Sequence, residues 1–116
     1  MISMCHCEQC QRRTGSAFSV AVFYPRECVA ITGPANSYER PSASGFPVRF
    51  HFCPRCGANL YWQAARLPEL IGVALGGFTD RDFPAPTQSV WMQEKQHWFD
   101  LPAGIAGHAQ NPVRRA

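Results

Sequence analysis

The stretch MCHCEQCQRRTG places Cys5, Cys7 and Cys10 within six residues of one another. Three thiols at that spacing suit one chemistry above others: as thiolates they grip a single soft cation such as zinc. A second stretch, FCPRCG, sets Cys53 and Cys56 in C-x-x-C spacing with Gly57 behind them. A tight turn there aims two sulfurs at one ion while backbone N–H groups point at them, and glycine eases the turn. A lone C-x-x-C also fits a buried apolar pair or a redox motif, but no thioredoxin-like βαβ pattern surrounds this one. The four-cysteine run of an iron–sulfur cluster is missing. Zinc is therefore the expected cofactor, with Cys5, Cys7, Cys10, Cys53 and Cys56 as its candidate ligands.

Five thiols exceed what one tetrahedral ion needs, and spacing leaves two arrangements open. Cys5, Cys7 and Cys10 supply three ligands and leave the fourth position to water or a thiol, as catalytic sites do. In the other arrangement, Cys7 and Cys10 join Cys53 and Cys56 in a closed ribbon site, with Cys5 spare. Cys28, in RECVAIT, stands apart and reads as a buried strand cysteine.

Arg12 and Arg13 follow Cys10 directly and are candidates for pairing with carboxylates; a solvated basic turn is the plain alternative. Arg49 and His51 share a strand face beside Cys53, where His51 reads as a surface or hydrogen-bonded histidine rather than an acid–base group. His6, between two ligand cysteines, is expected to point outward. Gly15 reads as a turn residue, Asp80 and Asp82 likewise, and Trp62, Trp91 and Trp98 as core.

The elements that must position these groups are short. Ten prolines and nine glycines interrupt 116 residues. FSVAVFY alternates Phe18, Val20, Val22 and Tyr24 against Ser19, Ala21 and Phe23, and VRFHF alternates Val48, Phe50 and Phe52 against Arg49 and His51; both read as strands. VAIT, SYER, NLYW, IGVALGGF and SVWMQ are further strand candidates, PSASGFP a loop. Helical turns are expected at 8–13 and 64–70. The result is a mostly β domain over residues 1–105, with a loose tail over 106–116.

Composition bounds the rest. The chain carries 46% apolar and 16% charged residues, enough for an ordinary core. No apolar run approaches the roughly 20 residues that span a bilayer, and MISM has no signal-peptide character. That favours a reducing cytoplasm, where clustered cysteines bind metal. The net charge of +3 permits an anionic ligand but gives no argument for nucleic acid.

Taken together, CHCEQCQRRTGSAF, FHFCPRCGANLYW, GVALGGFTD and VWMQEKQHWFDLPAGI resemble the glutathione-dependent formaldehyde-activating enzyme family, whose domain also occurs in centromere protein V. The resemblance implies a β-tent of short antiparallel strands around cysteine-ligated zinc. It implies that Cys5, Cys7 and Cys10 hold a three-thiolate zinc beside a glutathione site, and that Cys53 and Cys56 give half of a structural zinc site. The family's other half is a C-x-C on a preceding strand, a pair that residues 1–4 do not contain. The implied activity is that of a carbon–sulfur lyase acting on S-hydroxymethylglutathione or a related thiol–aldehyde adduct, whose carboxylates Arg12 and Arg13 would be the candidates to pair with. The competing expectation is a non-catalytic zinc module that binds a protein or nucleic acid, suggested by a pI of about 8.7 and the basic pair Arg114–Arg115. An uncovered sheet edge would also invite association of two copies.

Overall fold

The structure, a computed structural model, describes residues 1–42 and 44–112. It is mostly β. In chain order the elements are β1 (Ile2–Cys5), α1 (Glu8–Thr14), β2 (Ser19–Pro25), β3 (Asn36–Arg40), β4 (Val48–Phe52), β5 (Asn59–Ala64), β6 (Leu70–Ala74), β7 (Gln88–Val90) and β8 (Ala106–Gly107). The chain forms two compact units, one from residues 1–21 and 81 onward, the other from Val22–Asp80. β2 starts in the first and ends in the second.

In the Val22–Asp80 unit, β3, β4, β5 and β6 pair antiparallel in sequence order. Alternation in VRFHF sets the two faces. Tyr38, Phe50, Trp62 and Gly72 form one cross-strand row, in which Phe50 and Trp62 are buried with their rings 5.9 Å apart. Gly72 makes room for the indole: a Cβ there would lie 2.5 Å from Trp62 Nε1. On the opposite face the His51 ring stacks on Tyr61 at 4.2 Å, and Arg49 meets Glu39 at 3.5 Å.

Several expectations fail in this unit for local reasons. VAIT is not a strand. The chain leaves β2 through a 3-10 turn at Arg26–Cys28, which fixes the Arg26 N–H on Glu69 O. Cys28 lies in that turn and is exposed, not buried in a strand. No helix forms over 64–70: β5 runs to Ala64, and two backbone bonds (Leu67 N–H to Ala64 O, Leu70 N–H to Leu67 O) carry the chain through a turn into β6. IGVALGGF is strand only to Ala74, its glycine end coiling into a 3-10 turn.

In the first unit two pairings are parallel: β1 runs alongside β7, and β7 alongside β8. The wholly antiparallel arrangement expected of the strands therefore does not hold here. β1 and β7 come from opposite ends of the sequence, and a long connection separates β7 from β8, so no tight hairpin imposes an antiparallel register. SVWMQ is strand only to Val90, because Trp91 adopts a left-handed backbone at φ 57° and opens a 3-10 turn. Residues 106–110 are tied in by backbone hydrogen bonds. β8 pairs with β7, and the carbonyls of His108, Ala109 and Gln110 accept from the N–H groups of Met92, Gln93 and Trp91. Backbone groups left open beyond β7 are thereby satisfied. Arg114 and Arg115 lie outside the described residues. Met4, Cys10, Ala21, Val90 and Phe99 form this unit's buried apolar centre. Among the described residues no helix is long and apolar enough to cross a membrane.

Candidate metal centre

Cys5 ends β1, Cys7 caps α1 and Cys10 sits in its first turn. The helix starts at Glu8 because Cys7 is extended and its Sγ accepts the Cys10 N–H at 3.3 Å, the task a serine or aspartate usually performs. It stops at Gly15, whose φ of 65° suits glycine and whose N–H bonds Gln11 O. The three Sγ atoms all lie within 4.8 Å of one another. A tetrahedral zinc with bonds of about 2.3 Å separates its sulfurs by about 3.8 Å, so the triangle and its soft donors fit that ion. Among the described residues it is the one group of three or more such ligands.

Charge within the triangle is unevenly held. Hydrogen bonds from the Cys5 and Cys7 thiols pull the Cys10 pKa far below its ordinary value, helped by the Ser19 hydroxyl and the Arg13 guanidinium and opposed by burial. The Cys5 thiol is pushed up by its bond to Cys10, then that to Cys7, then burial. Cys7 also moves up, mainly through Cys10. Of the three sulfurs, Cys10 is thus the one that gives up its proton most readily.

His6 does not point outward. It is completely buried, its ring 4.6 Å from Phe99 and 5.3 Å from Phe18, with Nε2 2.9 Å from Ser89 Oγ. Burial lowers its pKa, the Lys95 ammonium adds to that, and Cys10 opposes it. His6, Ser19, Ser89 and Gln11 were not legible as parts of this site. In sequence Ser19 shares a strand face with Ala21, and its short side chain carries no sign that it reaches a sulfur. Ser89 and Gln11 matter through partners more than 80 residues away.

Arg12 is largely exposed, paired with Glu8 at 3.7 Å one helical turn back. Arg13 is half-buried. Cys53 and Cys56 belong to the other unit. A bulge between His51 and Phe52 leads into their turn, which closes through the Cys53 N–H on Ala58 O and the Gly57 N–H on Cys53 O. Cys53 Sγ accepts the Arg55 N–H at 3.4 Å. That bond, with others from the Cys56 backbone and thiol, lowers the Cys53 pKa. His51 is hydrogen-bonded through Nε2 to Gln63 at 3.1 Å. Trp62 is core, Trp91 half-buried with its Nε1 donating to Asn111, and Trp98 60% exposed, so the last is not the core residue expected. All six cysteines are free thiols.

No characterised protein gives a significant match to the chain. The family profile described as glutathione-dependent formaldehyde-activating enzyme matches residues 1–94, a span that includes both cysteine clusters, and the chain belongs to that family.

Proposed function

We propose that this protein binds zinc through Cys5, Cys7 and Cys10 and acts as a carbon–sulfur lyase on an adduct between an aldehyde and glutathione or a related thiol, such as S-hydroxymethylglutathione. Family membership supports a glutathione-related function at the coarse level. The observation that carries the finer reading is the triangle of three sulfurs within 4.8 Å. Bound there, zinc would supply a soft Lewis acid with a fourth position open to a substrate sulfur. In the reaction the adduct's C–S bond breaks, its hydroxyl becomes the aldehyde carbonyl, and the hydroxyl proton ends on the departing thiol. No oxidant is needed.

The chain's own groups would bind and orient. Arg12 would take a glutathione carboxylate; its exposed pair with Glu8 holds it by only about 0–1 kcal/mol and exchanges readily. Arg13 serves the same charge balance from closer in, its guanidinium favouring the Cys10 thiolate. Cys53 and Cys56 form a metal knuckle, half of a separate structural site, within the β-tent fold of the family. Six free thiols suit a reducing compartment such as the cytoplasm.

Zinc content, glutathione titration and adduct turnover, compared between the wild-type protein and Cys5→Ser, test this. The expected result is that Cys5→Ser loses zinc from the triangle together with thiol binding and turnover. Full metal content and normal glutathione binding in that variant would end the proposal. Zinc binding without any glutathione response in the wild type would favour a non-catalytic zinc module.

A further inference from the structure

We infer that His6 and Gln11 are positioning residues, which fix the spacing of the three thiolates by locking the short loop and first helical turn that carry them. His6 lies between two of the sulfur-bearing residues and is held at every polar point but one. Its N–H donates to Val90 O at 3.1 Å, and its carbonyl accepts from Gln11 Nε2 at 2.8 Å. Its ring is bonded to Ser89 and packs against Phe18 and Phe99, whose own rings lie 5.4 Å apart. A rotation of its backbone would change the separation of the Cys5 and Cys7 sulfurs on either side of it.

The ring's orientation is fixed too. Ser89 has one hydroxyl proton, and that proton goes to Met92 Sδ at 3.1 Å. Its oxygen then accepts from His6 with Nε2 protonated, the tautomer that avoids burying an unpartnered Nδ1–H. Nδ1 is left with a lone pair that has no hydrogen-bond partner among the described residues.

Gln11 is the second lock, next in sequence to Cys10. Its amide is fully used: both Nε2 hydrogens are donated, to His6 O at 2.8 Å and Glu94 O at 3.0 Å, while Oε1 accepts from Gln96 Nε2 at 2.8 Å. Glu94 also accepts the Glu8 N–H through Oε1 at 3.0 Å. The loop before the helix and the helix start are thus tied to one outside segment, 94–96. An apolar core residue would stabilise this region as well as a buried histidine does. A satisfied polar network adds a single fixed geometry, the property a metal site needs from the residues behind its ligands.

The inference rests on Cys5, Cys7 and Cys10 being a metal site, and the test separates the two. The reduced, metal-free full-length chain is titrated with cobalt(II), a visible reporter of thiolate ligation. The portion of the sulfur-to-metal band that disappears in Cys5→Ser is assigned to this site. His6→Phe, Gln11→Met and Ser89→Ala are compared with the wild type by cobalt affinity, by the visible bands that report tetrahedral geometry, and by metal-free melting temperature. The expected result is an affinity loss of about 10–100-fold with altered visible bands, including in Ser89→Ala, whose metal-free fold should be least disturbed. If His6→Phe or Gln11→Met does not fold, Ser89→Ala and Gln96→Ala decide the matter. Folded variants that bind cobalt with the wild-type affinity and spectrum would overturn the positioning role alone. A wild-type chain with no cobalt band sensitive to Cys5→Ser would overturn the metal reading, and this inference with it.

Discussion

At the scale of single residues, the protons on the three sulfurs decide how this site responds to pH. Cys10 is the sulfur most easily ionised because two thiols and Ser19 donate to it, while the Cys5 and Cys7 pKa values are pushed up. Three thiolate ligands therefore require the loss of two protons when metal enters at neutral pH. Acid favours the protonated, metal-free form, so apparent affinity should fall about a hundredfold for each pH unit lost while two protons are exchanged. Calorimetric zinc titration in buffers of different ionisation enthalpy should count close to two protons released. Release of none would mean that the triangle is already fully ionised or is not the ligand set. The sulfurs themselves were legible from spacing alone. The inward turn of His6 was not, because what buries it (Phe18, Ser89 and Phe99) is brought up by tertiary structure and leaves no local pattern.

At the scale of elements, legibility follows how strongly one face is buried. VRFHF was read with its true bounds because its alternation is uninterrupted and its neighbours pair on both sides. The two-residue β8 and the four-residue β1 are too short to show any period. VAIT has strand residues but no partner strand, and propensity without pairing does not make a strand. The row Tyr38–Phe50–Trp62–Gly72 gives a test at this scale. Gly72 has no left-handed backbone to preserve, so its lack of a side chain is a matter of space, a Cβ meeting Trp62 at 2.5 Å. Gly72→Ala should overpack that contact and destabilise the fold by about 1–3 kcal/mol, seen as a lower denaturant midpoint with an unchanged slope. Gly76, whose Cβ would meet nothing within 4 Å, is the control: Gly76→Ala should change the midpoint far less.

At the scale of the molecule, the first unit is assembled from the two ends of the chain, with 59 residues of the second unit lying between them in sequence. Closing such a loop slows folding and leaves the ligand loop dependent on residues far downstream. The family match ends at residue 94, yet what holds the loop does not. Gln96 bonds Gln11, Phe99 packs on His6 and Phe18, and β8 extends β7. Truncating a buried aromatic such as Phe99 to alanine costs about 3–5 kcal/mol, a large part of the roughly 5–15 kcal/mol that holds a domain together. A chain ending at residue 94 should therefore lose hydrogen-exchange protection in α1 and β1 and fail to hold cobalt at the cysteine triangle. A chain ending at residue 112 keeps every one of these contacts and should keep cobalt at the triangle and exchange protection in α1 and β1. Equal cobalt affinity in the two truncated chains would show that residues 95–112 have no part in forming the site.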